Sequence, residues 1–304
     1  MEKKLTYFKE NIQIVIMALP ALLLTAVFSY WPMYGIILAF KNYTYRGGIW
    51  GSKWVGFKNF EFFFKSDDLW RVLRNTLGLE FLFIALGLVA AVGFALLMFE
   101  LKKPGHVKTY QTISILPYFL SWVVVSYMVY ALLEHNDGLF NRLLIQLGLE
   151  PVAWYSEPNL WPAILSVVRL WHNTGMSCII YYASLMSMDS QLMEAAELDG
   201  ASKWQRIRFV ALPHLVPIVT IKTIMSIGGI FRSDFGMFYN VPRNLGILYP
   251  TTDVIDTYVY RALMGMGNVG MSTAVGLFQS VVCFATLMIT NAIVKKISPE
   301  NTLF

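Results

Sequence analysis

The sequence predicts an all-α, polytopic membrane protein with six transmembrane helices and cytoplasmic N and C termini. Three observations carry that prediction. Hydrophobic residues make up 56% of the chain and charged residues only 14%, with mean hydropathy +0.53, a balance unlike that of soluble domains. The apolar residues gather in runs long enough to cross about 30 Å of hydrocarbon. Lysine and arginine are denser in alternate polar segments, and the positive-inside rule assigns those segments to the cytoplasm. The 9 Trp and 16 Tyr suit a protein with many residues at bilayer interfaces.

The elements follow in order. Lys3, Lys4 and Lys9 precede a charge-free run from Asn11 to Phe40. A signal peptide would carry an apolar region of roughly 7–15 residues, about half of this run, so a retained first helix starting near Ile12 is expected, with Pro32 kinking or ending it. Residues 41–74 are polar and aromatic and read as an outer loop with an amphipathic piece around Phe57 to Phe64. A second span is expected from about Asn75 to Phe99, followed by the basic turn of Lys102, Lys103 and Lys108. A third, containing Pro117, is expected from about Tyr110 to Leu133. Proline is tolerated in membrane helices. After an acidic outer loop at 134–159, a fourth span covers about Leu160 to Met186 and carries Arg169 and His172. A cytoplasmic polar segment, about 189–213, leads into a fifth span from about Leu212 to Ile230. A long outer loop at 231–270 precedes the sixth, about Met271 to Val294. No internal repeat or flexible linker interrupts this order, so the whole of 1–304 reads as one transmembrane domain.

Several function classes drop out. The formal charge of +5 comes from scattered basic residues rather than a clustered face, so no nucleic-acid partner is expected, and anionic lipid heads explain the excess. Cys178 and Cys283 lie singly inside apolar runs, giving neither a disulfide framework nor a metal spacing. His106, His135, His172 and His214 are dispersed, against a membrane-embedded transferase. No catalytic arrangement and no metal site is expected. An ion-coupled secondary transporter would show inverted repeats and interrupted helices, and neither is evident. The phosphate loop G-x-x-x-x-G-K-[ST] is absent, so the chain carries no cofactor of its own and no ATPase site.

The segment Glu194-Ala195-Ala196-Glu197-Leu198-Asp199-Gly200, completed by Val210-Ala211-Leu212-Pro213, is one of few polar islands between the apolar runs. Good helix formers run from Met193 to Leu198, and the paired alanines leave a smooth surface. Asp199-Gly200 breaks that helix, and Ser202 is placed to cap a second one through Lys203, Trp204 and Arg208. On the residues alone, a docking helix–turn–helix and an ordinary inter-span loop are both open.

The pattern Glu-Ala-Ala, three residues, Gly200, nine residues, Val210-x-Leu212-Pro213 resembles the EAA loop of ABC importer permeases, with Val in place of the more usual Ile. The likeness covers nearly the whole chain and is strongest to carbohydrate permeases of the maltose-permease type. Tyr249 to Arg261 resembles their oligo- and polysaccharide branch. The resemblance implies a type I importer permease fold, alternating access, and residence as a multi-pass protein in the bacterial cytoplasmic membrane. It implies partners: a second permease chain forming a heterodimer, two ATPase subunits binding ATP and Mg, and an extracytoplasmic solute-binding protein. Glu194, Ala195, Ala196, Leu198, Asp199, Gly200, Leu212 and Pro213 would couple to the ATPase, with Glu194 pairing a basic residue there. Importers of other solutes share the EAA logic and remain the alternative.

For the pathway, Arg169, His172, Asn173 and Met176 recur at helical spacing on span four, and Lys222, Ser226, Gly229 and Ser233 on span five. Ionisable residues inside spans usually face a bundle interior or water. Maltose-type permeases place sugar contacts on the corresponding helices, which implies hydroxyl partners at His172, Asn173, Ser226 and Ser233, and stacking surfaces at Trp171 and Phe231. Structural readings compete: helix packing through Ser and Gly, snorkelling of Lys222, and pairing of Arg169 with Glu80. Arg232 and Asp234 are expected to form an ion pair or cap. Asp253 and Asp256 are expected to cap or dock a helix, and Arg169, Lys222 and Arg232 would suit an acidic oligosaccharide.

Overall fold

The computed structural model describes residues 11–101 and 103–302. Lys3, Lys4, Lys9 and Lys102, which enter the orientation argument, lie outside the described residues. Among the described residues the fold is all-α apart from one two-stranded hairpin. Among the described residues, four helical stretches are long and apolar enough to cross a membrane: Ile12–Phe40, Asp68–Phe99, Lys203–Gly228 and Val269–Ile297.

The chain forms two compact units, 11–65 with 262–277, and 66–261 with 278–302. The first begins with helix α1 (Ile12–Thr25), which runs on through a π turn and tightens to 3-10 geometry from Trp31, where Pro32 enters. Strands β1 (Lys41–Asn42) and β2 (Lys53–Trp54) pair antiparallel, and α2 (Lys58–Phe64) occupies the expected amphipathic piece. Lys41 is buried because its Nζ donates to the carbonyls of Ile49 (2.8 Å) and Trp50 (3.2 Å).

The second unit is built around α3 (Asp68–Phe99) and α7 (Trp161–Met186), the most extensive helix pair. Two apolar cores form along this pair. One gathers Leu79, Phe83, Trp161 and Leu165 with Met237, Phe238, Val241 and Leu248. The other gathers Ala91, Ala95, Met98, Cys178, Tyr181 and Leu185 with Ala211 and Leu215. Between these levels α7 presents Arg169, Asn173 and Ser177 in place of apolar side chains. That polar stretch is why α7, although 26 residues long, is missing from the four apolar spans.

The expected third span is a broken one. Helix α4 (Pro104–Ile115), extended by a 3-10 turn to Phe119, meets α5 (Trp122–Leu133) at a bend of 98°. Pro117 supplies no backbone donor, Leu120 and Ser121 turn extended, and Ser121 Oγ caps α5 by accepting from Val124 N (3.4 Å). Counted together, this pair is a fifth candidate span.

The long segment at 231–270 is folded rather than loose. It holds α6 (Phe235–Asn240), a helical turn at Tyr249–Thr252, and α8 (Ile255–Met266). Buried Asp253 anchors it, accepting from Arg71 (3.0 Å), Arg261 (2.6 Å) and Thr257 (3.1 Å). Two guanidinium groups and a hydroxyl offset the desolvation of that carboxylate. The polar segment after α7 forms α9 (Ser190–Leu198) and α10 (Lys203–Arg206). A π turn at Ile207–Ala211 joins α10 to α11 (Leu212–Gly228), and α12 (Val269–Ile297) closes the chain.

Candidate functional site

The predicted helix–turn–helix is present, with caps that account for its shape. Asp189 accepts from Gln191 N (3.0 Å) at the start of α9. At its end, Gly200 lies at φ +79, its N–H donates to the Glu197 carbonyl (3.1 Å), and Ala201 N–H donates to the Ala196 carbonyl (3.0 Å). This paired closure satisfies the last carbonyls of the helix and favours glycine at the left-handed position. Ser202 and Gln205 then form a reciprocal capping box on α10. Arg206 ties the two arms together by donating to Glu197 at 2.6 Å.

The outer surface of this knuckle is left uncovered. Glu194, Ala195, Asp199 and Gly200 are exposed, Ala196 is half-buried, and Leu198 is 89% and Trp204 66% exposed. Leu212 and Pro213 sit on α11, where they line an apolar groove with Leu96 and Arg208. The expected second short helix capped by Ser202 is there as α10, and it runs on into span five, so that Lys203–Gly228 is one 26-residue helical stretch. The π turn at 207–211 absorbs the irregularity without breaking it.

That stretch leads directly to a cavity of about 180 Å³ between the two cores. Gly87 and Ala91 line it from α3, Ser166, Arg169, Asn173, Thr174 and Ser177 from α7, and Lys222, Thr223 and Ser226 from α11. Of the predicted pathway residues, Asn173 and Ser226 meet here, together with Arg169 and Lys222 from the two predicted polar faces. Arg169 is engaged by Glu80, NH1 and NH2 each donating at 3.2 Å to a different carboxylate oxygen, and its guanidinium lies 4.6 Å from the Phe83 ring centroid.

The other predicted pathway residues lie elsewhere. His172 is buried and stacks on Trp122 at 4.1 Å, its Nε2 3.1 Å from the Leu120 carbonyl and its Nδ1 2.8 Å from Asn173 Oδ1. Trp122 Nε1 donates to Asp234 Oδ2 (2.8 Å), and Asp234 Oδ1 caps α6 through Met237 N (3.2 Å). This chain of contacts braces the 98° bend. Trp171 and Met176 are exposed outside the cavity. Gly229 ends α11, the Phe231 carbonyl accepts from Gln279 (2.7 Å), and Ser233 N–H donates to Asp256 (2.8 Å). Burial pushes the Asp256 carboxyl above its ordinary range, opposed by the donors from Ser233 and Gln279. Arg232 donates to Ser280 Oγ (3.1 Å).

Sequence reasoning missed Ser166, Thr174, Ser177 and Thr223 as cavity residues, and Trp122 as the partner of His172. The first group had a signal, since Ser166, Arg169, Asn173 and Ser177 recur in steps of three and four. Trp122 had none, because its pairing depends on the bend.

Comparison with known proteins fits this geometry. The description "Binding-protein-dependent transport system inner membrane component" matches residues 84–299. The chain belongs to that family, and is a multi-pass permease subunit of an ABC importer in the cytoplasmic membrane. Protein LplB of Bacillus subtilis (strain 168) is 32% identical over 96% of this chain and 92% of its own. The polygalacturonan/rhamnogalacturonan transport system permease protein YteP of the same organism is 32% identical over 94% of this chain and 88% of its own. A bacterial ABC transporter importing the acidic polysaccharide alginate has a chain 30% identical to this one. It superposes with TM-score 0.88 over 97% of this chain and 99% of that one. The same kind of transporter crystallised with an alginate pentasaccharide-bound periplasmic protein gives TM-score 0.86 at 30% identity, over 96% of this chain and 97% of that one.

Proposed function

We propose that this chain is one half of the membrane pathway of an ATP-driven importer of oligosaccharides. A second permease chain completes the pathway as a heterodimer. Two separate ATPase subunits bind ATP and Mg, and an extracytoplasmic binding protein delivers the cargo. This chain hydrolyses nothing itself. The bent pair α4–α5 and the polar helix α7 complete six spans, and 1–304 acts as one permease domain with both ends and the knuckle in the cytoplasm. The saccharide reading draws on the cargoes named for YteP and for the alginate transporter.

One observation carries the mechanism: the second arm of the knuckle and the cavity-lining part of α11 belong to the same helical stretch, Lys203–Gly228. A push delivered at Glu194–Gly200 therefore has a covalent, hydrogen-bonded route to Lys222 and Ser226. The exposed apolar and small surface of Ala195, Ala196 and Leu198 supplies shape for docking in a cleft of the ATPase. A single exposed ion pair from Glu194 would add only about 0–1 kcal/mol.

The test is uptake of a labelled oligosaccharide into proteoliposomes carrying the purified importer with its binding protein. ATP trapped inside the vesicles should drive uptake, and an imposed proton or sodium gradient should not. Gradient-driven uptake without ATP would contradict the proposal.

A further inference from the structure

The cavity holds two cations, and they stand in different electrostatic situations. Arg169 spends both terminal nitrogens on the two oxygens of Glu80. Its charge is compensated, and its fork is committed to a carboxylate of its own chain. Lys222 lines the same cavity from α11, and its ammonium has no ion pair and no hydrogen bond among the described residues.

The hydroxyls around Lys222 are also available. Elsewhere in the chain, Ser and Thr hydroxyls on helices commonly donate back to the preceding turn, as Thr76 does to Val72 (2.7 Å), Thr112 to Lys108 (2.8 Å) and Thr273 to Val269 (2.8 Å), and on the cavity wall Ser166 does so to Pro162 (2.6 Å). Thr174, Ser177, Thr223 and Ser226 line the cavity with no such bond among the described residues. An uncompensated ammonium among free hydroxyls is expensive inside a membrane protein and matches a ligand that carries both hydroxyls and a carboxylate.

Resting on the saccharide reading, we infer that Lys222 is the residue with which this permease reads the carboxylate of a uronate-type oligosaccharide in transit. Arg169 holds the cavity wall through Glu80 and is not the anion-reading group. Charge at a turn of α11 continuous with the knuckle also puts cargo recognition on the helix that is pushed.

The assembled importer in lipid nanodiscs can be titrated with a uronate trisaccharide and with its neutral methyl ester. Wild type should prefer the uronate by about tenfold, the usual order for one charge-assisted contact. Lys222→Gln should abolish that preference while leaving methyl ester binding in place, and Lys222→Arg should retain it. A preference that survives Lys222→Gln would overturn the inference, as would a wild type that binds the two ligands alike or binds neither. Equal loss of both ligands in Lys222→Gln, the result for a lysine that only holds the helix, would overturn it as well. If neutral oligosaccharides are taken up with ATP but no charge preference exists, this inference falls and the saccharide reading stands. If no saccharide is taken up at all, the reading itself falls.

Discussion

Glu80 and Arg169 show how a single buried pair shapes the site. The Glu80 side chain is 6% exposed and that of Arg169 24%, so neither is solvated well enough to stand alone. Removing one partner of such a pair costs about 3–5 kcal/mol, whereas replacing both by apolar residues of similar volume is often neutral. Glu80→Leu and Arg169→Leu should each lower the unfolding midpoint in detergent strongly, and the double variant should recover most of the loss. Equal and additive losses would show that the pair is not coupled. Arg169 with Glu80 was already open as a pairing in the sequence, because both are rare charges inside apolar runs. His172 was not legible: its burial is set by Trp122, a residue of a different helix, and a lone histidine in a span looks the same whether it faces cargo or a neighbour's indole.

At the scale of elements, close approach between helices is written in glycine. A Cβ on Gly175 of α7 would overlap the Ser114 carbonyl of α4, while a Cβ on Gly87 of α3 would meet nothing within 4 Å. Gly175→Val should therefore destabilise the protein by about 1–3 kcal/mol or more. Gly87→Ala should be neutral or slightly stabilising, by up to about 1 kcal/mol. Thermal unfolding of the two purified variants checks the contrast, and similar midpoints would contradict it. The apolar runs made most helices legible, α7 and α12 to within a few residues. The bend at Leu120–Ser121 was not, since Pro117 is compatible with a straight membrane helix and the turn needs Ser121 and the Trp122–His172 stack to fix it. Residues 231–270 looked like a loop because the groups that order them are distant in sequence, Arg71 on Asp253 above all.

On the scale of the whole molecule, the helix–turn–helix of α9 and α10 was legible because its chemistry is local: two alanines, a left-handed glycine, a capping serine. The route from it to the cavity was not, because a π turn hides the continuity of 203–228 from a pattern read in steps of 3.6. The cavity was least legible, since it is assembled from three helices. In the proposed mechanism the knuckle receives the ATPase's motion and passes it along α11. Gly200→Pro tests it most directly: proline cannot take the φ of +79 found there, and it removes the donor to Glu197. In proteoliposomes containing the complete importer, ATP hydrolysis and oligosaccharide uptake are measured together. The Gly200→Pro protein should enter the membrane but hydrolyse ATP uncoupled from uptake. Uptake at the wild-type rate per ATP would contradict it.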